Sequence, residues 1–217
     1  ASCLVGSEMC IRDSYYSGQP TNAVVKNIGE VINTEYDEYI PNITADESMM
    51  IFTRKDPSSK GEVQEDGKKS EDVWCSYRKE DQWNKPFPMD SINTDLSERA
   101  VSLSFDGRTL LIYKDIEDDH GDIYQSFLIG DAFTKPEKIK GEVNTYSWDG
   151  HASLSPDGKT LYFASERSSG FGGKDIYRAT LLADSTWANI TNLGDSVNTS
   201  MDEEAPFIHA DGTTLFY

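Results

Sequence analysis

Four acidic side chains recur at one position of a repeated sequence. Each stands five residues after an Asn that opens an Asn-Thr pair: Glu38 after Asn33, Glu98 after Asn93, Asp149 after Asn144 and Glu203 after Asn198. Carboxylates gathered in this way have two uses. Turned toward a shared channel mouth, they form a ring of oxygens for a cation such as Ca2+ or for a basic ligand. Turned into their own loops, they accept backbone N–H bonds and fix loop geometry. Repetition in every copy favours the structural use, because a binding site normally breaks the symmetry of a repeat. His151 occupies the position held by Ile40, Ala100 and Ala205, which places it as a channel-lining or packed residue. The candidate binding residues are therefore Glu38, Glu98, Asp149, Glu203 and His151. No metal site is assigned, and Ca2+ is the one cofactor these oxygens would suit.

Other chemistry finds little support. No Gly-x-Ser-x-Gly nucleophile motif occurs. His120, His151 and His209 each lack the i, i+4 partner of a helical zinc site. Ser76-Tyr77-Arg78-Lys79 fits Ser-x-x-Lys, but in a strand context. Gly170-Phe171-Gly172-Gly173 precedes no helix whose dipole would hold a phosphate. The expectation is that the chain is not an enzyme. Cys3 and Cys10 fall in the N-terminal tail, so Cys75 stands alone after Trp74, as a buried small apolar residue and outside any disulfide framework.

The elements that must position these residues are strands. Thirteen residues after each repeat Asn stands an Asp (Asp46, Asp106, Asp157, Asp211), followed by Gly in three copies and by Glu47 in the first. An apolar run comes next: Met50-Ile51-Phe52, Leu110-Leu111-Ile112, Leu161-Tyr162-Phe163 and Leu215-Phe216-Tyr217. In the third copy, Ala152 to Ser155 alternates as a strand does. Pro156-Asp157-Gly158-Lys159 is a turn, with Pro presetting φ and Gly free to take φ > 0. Thr160 to Ala164 is a second strand, Asp175 to Ala179 a third and Trp187 to Leu193 a fourth. The third strand recurs at Asp72-Val73-Trp74 and Asp122-Ile123-Tyr124, and an aromatic recurs at Trp83, Phe133 and Trp187. Four short antiparallel strands in a unit of roughly 50 residues describe a propeller blade, with a solenoid as the rival repeat architecture.

Ser155-Pro156-Asp157-Gly158-Lys159-Thr160-Leu161-Tyr162-Phe163-Ala164-Ser165-Glu166-Arg167, followed by Gly170 to Tyr177, resembles the TolB-type "Pro-Asp" propeller repeat. More closely, it resembles the propellers of OmpA-family envelope proteins of Bacteroidetes-like bacteria. The resemblance covers residues 22–217 and thins in the first two copies, where Ala45-Asp46-Glu47 and Phe105-Asp106-Gly107 replace Pro-Asp-Gly. It implies a periplasmic or outer-membrane-associated protein whose propeller offers its loop face, or its central channel, to a protein or peptide partner. Peptidoglycan would be gripped only by a flanking OmpA-like domain outside this segment. Two other roles stay open, a regulatory propeller of a serine peptidase and a carbohydrate- or metal-binding propeller.

The expected architecture is all-β, a partial propeller from a ring of six to eight blades. Residues 1–14 form a tail, and Leu4 to Ser14 resembles a translated sequencing-library adapter. Residues 15–31 end a preceding blade, 32–91, 92–142 and 143–196 are blades, and 197–217 start a truncated one. Such a piece leaves sheet edges open, and an isolated fragment is expected to express poorly or aggregate. A formal charge of −18 provides no electrostatic footprint for nucleic acid and favours a cationic partner. No stretch approaches the ~20 apolar residues of a membrane span.

Overall fold

A computed structural model of the chain describes residues 26–63, 67, 69–116 and 120–217. The adapter-like tail lies outside the described residues. Of the stretch expected to end a preceding blade, residues 26–31 are described and form no strand. The described residues contain strands and no helix.

Three sheets succeed one another along the chain, each an antiparallel meander. The first holds β1 (Asp37–Ile43), β2 (Met49–Lys55) and β3 (Asp72–Lys79), with the short β4 (Gln82–Trp83) and β5 (Phe87–Pro88) both paired to β3. The second repeats this plan with β6 (Ser97–Leu103), β7 (Thr109–Asp115), β8 (Asp122–Ile129), β9 (Ala132–Phe133) and β10 (Glu137–Lys138). The third has β11 (Asp149–Leu154), β12 (Thr160–Ser165), β13 (Asp175–Leu181) and β14 (Trp187–Asn192). A fourth begins with β15 (Phe207–Ile208) and β16 (Leu215–Phe216). This is a partial β-propeller.

The four repeat Asp residues stand at matching hairpin tips. Asp157 accepts from the Ser155 hydroxyl at 2.6 Å and the Lys159 N–H at 3.0 Å. Asp106 accepts from Ser104 and Arg108 at the same distances, and Asp46 from Thr44 and Ser48. Asp211 accepts from the N–H groups of Thr213 and Thr214. The next residue takes φ > 0 in every copy: 70° at Gly107, 68° at Gly158, 69° at Gly212 and 55° at Glu47. Gly adopts this backbone at no steric cost, and Glu only under strain.

The outer strand departs from the expected single piece. In the first two blades it splits around Pro86 and Pro136, which have no N–H to give a ladder. Serines patch the gap. The Ser76 hydroxyl donates to the Asn84 carbonyl at 2.7 Å, and Ser126 donates to Thr134 at 2.6 Å. The third blade has no proline there, β14 is continuous, and the serine position is Ala179.

The core lies between blades. Side chains alternate across a strand, so β7 serves two neighbours. Leu110 and Ile112 cluster with Met49, Ile51, Val73 and Cys75 of the first blade. Leu111 clusters with Ala152, Leu154, Leu161 and Phe163 of the third. Burying each such side chain contributes roughly 1.5–3 kcal/mol. Two neighbours of this kind explain why the second strand of every repeat reads as a continuous apolar run.

Candidate functional site

Three of the repeat Asn residues, Asn93, Asn144 and Asn198, are clamps between blades. Asn93 accepts from the Val73 N–H at 2.8 Å and donates to the Val73 carbonyl at 2.9 Å. Asn144 binds Ile123 in the same two-fold way, and Asn198 binds Ile176. Each of these Asn side chains therefore ties the loop that opens one blade to the third strand of the blade just completed. The following Thr turns to the acidic residue. The N–H of Thr34, Thr94, Thr145 and Thr199 donates to Glu38, Glu98, Asp149 and Glu203 at 3.1, 3.1, 2.6 and 2.9 Å. The threonine hydroxyls donate to the same carboxylates.

A cation completes three of these units. Arg54 pairs with Glu38 at 3.0 Å, Lys114 with Glu98 at 3.0 Å and Arg167 with Asp149 at 2.9 Å. Arg54 and Arg167 also lie over aromatic faces, Trp74 at 4.7 Å and Tyr177 at 4.9 Å from the ring centroids. The Glu98 and Asp149 residues are 0% exposed. The structure thus brings each predicted carboxylate to its own inter-blade loop and occupies it there. Among the described residues, no cluster of three or more His, Cys, Asp or Glu is arranged for a metal ion. The basic partners escaped the sequence reading. In the strand pairing Glu38 faces Arg54 and Glu98 faces Lys114, but Asp149 faces Ser165. The third cation arrives two residues later, from the loop, and breaks any fixed spacing.

His151 is the extra residue of a β-bulge in β11, where pairing skips from Gly150 to Ala152. Its φ is 40°, and Ile40 and Ala205 share this backbone at 51°. The ring meets Trp148 edge-on at 5.2 Å, and Nδ1 is buried with no hydrogen-bond partner. Burial lowers its pKa below the usual histidine value.

The blades also join through residues that precede the third strands. Glu71 accepts from the Tyr39 hydroxyl at 2.8 Å and pairs with Arg99 of the second blade at 3.1 Å. Burial opposes the Glu71 charge, but the Ser97 hydrogen bond and the Arg99 guanidinium outweigh it and hold the carboxyl at about 2. At the equivalent place in the third blade, Lys174 pairs with Glu204 of the fourth, with the signs reversed. Between the second and third blades both positions are glycine, Gly121 and Gly150. A Cβ on Gly121 would meet Tyr113 at 2.0 Å, and one on Gly150 would meet Trp148 at 2.5 Å. The two rings fill that space, and Trp148 Nε1 donates to the Tyr113 hydroxyl at 3.1 Å.

Two open clefts lie at blade junctions. One of about 450 Å3, on the loop face, is lined by His120, Tyr146, Ser147, Trp148, Glu166 and Lys174. The other, about 420 Å3, lies on the hairpin face between the first two blades, where Tyr77, Phe105 and Leu128 adjoin the repeat turns of Asp46 and Asp106.

The sequence matches no protein-family model and no curated protein. Solved structures do resemble the fold. TolB from Acinetobacter baumannii aligns with a TM-score of 0.53 and 15% identity, over 81% of this chain and 36% of its own length. A protein described as TolB from Agrobacterium tumefaciens aligns at 0.51 and 16% identity, over 85% of this chain and 70% of its own. The periplasmic gluconolactonase PpgL of Pseudomonas aeruginosa aligns at 0.46 and 12%, over 79% of this chain and 48% of its own. The expectation that the chain is not an enzyme is corrected here: the solved structures that align with it include a gluconolactonase beside the TolB proteins, and a propeller fold decides neither for nor against catalysis. With identities of 15% and 16%, what the two TolB structures establish is the fold alone: this chain folds as part of a β-propeller like theirs.

Proposed function

We propose that this segment is the propeller scaffold of a periplasmic, envelope-associated protein and that it engages a protein or peptide partner through its loop face. The observation that carries this reading is the division of labour in the inter-blade loops. The Asn, Thr and acidic residues repeat and are spent on holding the loops, as described above. The residues between them change from copy to copy: Glu35-Tyr36-Asp37, Asp95-Leu96-Ser97, Tyr146-Ser147-Trp148 and Ser200-Met201-Asp202. The first of these variable residues in each loop, Glu35, Asp95, Tyr146 and Ser200, is exposed, and a rigid frame with variable exposed positions presents binding residues at low entropic cost. The chain's charge of −18 favours a cationic surface on the partner. An OmpA-like domain outside this segment would supply attachment to peptidoglycan.

Site-specific photo-crosslinking tests the reading in cells producing the full-length protein. A photoreactive residue replaces Asp95 or Ser200 on the loop face, or Asp131 or Asp184 on the hairpin face. Discrete protein adducts from the loop-face positions are expected. Adducts confined to the hairpin face would overturn the proposal, as would none at all.

A further inference from the structure

The loop between the second and third blades breaks the repeat. Tyr146 stands where the other copies have Glu35, Asp95 and Ser200, and Trp148 where they have Asp37, Ser97 and Asp202. Binding asymmetry on a symmetric frame belongs at such a place. Tyr146 is 94% exposed, yet its loop is not loose. Asn144 holds it to β8 through both Ile123 bonds, and Thr145 holds it to Asp149. An aromatic ring displayed on a fixed loop loses little entropy on contact, which is why tyrosines recur among binding hot spots.

The surrounding groups define the ligand. The Glu166 N–H donates to the Trp148 carbonyl at 3.0 Å, which seats Glu166 beside Trp148 in the cleft. Within the same cleft the chain already uses one cation–aromatic–carboxylate arrangement. The Lys174 ammonium lies 4.5 Å from the Trp148 ring centroid and is closed by Glu204. Tyr146 and Glu166, which line the same cleft, offer a second ring and a second carboxylate. Near Lys174 two apolar side chains stand exposed, Phe171 and Met201. Gly172 approaches Met201 so closely that a Cβ would meet its carbonyl oxygen at 2.1 Å, and Met201 and the adjacent Phe171 are 72% and 54% exposed.

We infer that this cleft receives an arginine or lysine side chain of an extended partner segment, with apolar partner residues resting on Phe171 and Met201. The guanidinium or ammonium lies over Tyr146 and pairs with Glu166. This deepens the partner reading above and rests on it. The chain's acidity steers such a segment toward the face.

Two labelled octapeptides test the inference by fluorescence anisotropy, one with a central Arg between Leu and Phe and one with Glu in place of the Arg. The Arg peptide is expected to bind at least ~10-fold more tightly, and Tyr146→Ala to weaken it by ~10-fold. Glu166→Gln is expected to weaken it and to flatten its salt dependence. Phe105→Ser, on the hairpin-face cleft, is expected to change nothing. Melting curves confirm that these surface variants fold. Equal binding of both peptides, no binding of either, or indifference to Tyr146→Ala and Glu166→Gln overturns the inference. So does a chitin oligosaccharide that binds through Tyr146 while the peptides do not. Arg-peptide binding lost in Phe105→Ser but kept in Tyr146→Ala would remove the loop-face reading as well. Indifference to all three variants, together with loop-face crosslinks, would remove only the assignment to this cleft.

Discussion

At the scale of single residues, the acidic positions divide by how their charge is answered. Glu38, Glu98 and Asp149 each have a cation and a threonine, so their burial leaves no net charge stranded. Asp72, at the head of β3, is answered less completely. Its Oδ2 accepts from the Lys60 N–H at 3.1 Å, while Oδ1 is buried with no hydrogen-bond partner. Burial pushes its carboxyl up from 3.8 to about 6, the Lys60 bond opposes the rise, and the charge of Glu98 adds to it. The sign of the linkage follows. Below pH 3.8 the group is neutral in the folded and unfolded chain alike. Above that, the unfolded chain releases the proton first, so the stability this group contributes is lost as pH rises through about 6. Asp72→Asn keeps an acceptor for Lys60 and carries no charge. Its stability relative to the parent is expected to grow between pH 4 and pH 7 by about 2–3 kcal/mol, read by chemical denaturation at each pH. A difference that stays flat across that range would mean that Asp72 is solvated in the folded protein.

At the scale of elements, the hairpin tip is the clearest case of local sequence deciding local structure. Ser155, Asp157 and Gly158 spell out a turn whose bonds can be named in advance, and the same bonds form at Ser104-Asp106-Gly107. The first blade keeps the bonds and loses the glycine, leaving Glu47 at φ 55°. Glu47 gains an ion pair with Arg78, but at an exposed site such a pair contributes about 0–1 kcal/mol. Glu47→Gly is therefore expected to raise stability by about 0.5–1 kcal/mol, the relief of left-handed strain slightly exceeding the lost pair and the added chain entropy. A fall in melting temperature would show that the Arg78 pair outweighs the backbone. Other features of the elements were legible only in part. The repeat Asp and the apolar second strand stood at constant places and could be read directly, and the third strand, at a variable distance, was marked by its recurring Asp followed by apolar and aromatic residues. Pro86 and Pro136 carried the signal for a split outer strand, but the aromatic after the turn masked it. The tie of Asp149 to Arg167 could not be read, because that arginine enters from a loop outside the strand register. Nor could the bulge that sets His151 at φ 40°, since no residue type there demands it.

At the scale of the whole molecule, what matters is that cores belong to junctions. A blade on its own buries little, because its second strand offers one face to each neighbour. Leu111 and Ile112 are adjacent in sequence, both essentially unexposed, and committed to opposite junctions. Truncating either to alanine removes a similar volume and is expected to cost about 2–5 kcal/mol. The two losses should spread in opposite directions. With Ile112→Ala, amide hydrogen exchange is expected to speed up in β2 and β3 of the first blade as well as in β7, while β12 and β13 hold their protection. With Leu111→Ala the pattern inverts, with β12 and β13 loosening and β2 and β3 holding. Such asymmetry is what nearest-neighbour coupling between repeats predicts. If both variants instead loosened all three blades equally, the chain would melt as one cooperative body, and the junctions could not be treated as separable. If each loosened only the second blade, the buried contacts across the junctions would contribute far less than their area implies. The clefts at the two faces sit at these same junctions, so the exchange pattern also bears on the binding surface. A partner that rests on Tyr146 and Glu166 should tighten the junction shared by the second and third blades and leave the junction of the first and second unchanged.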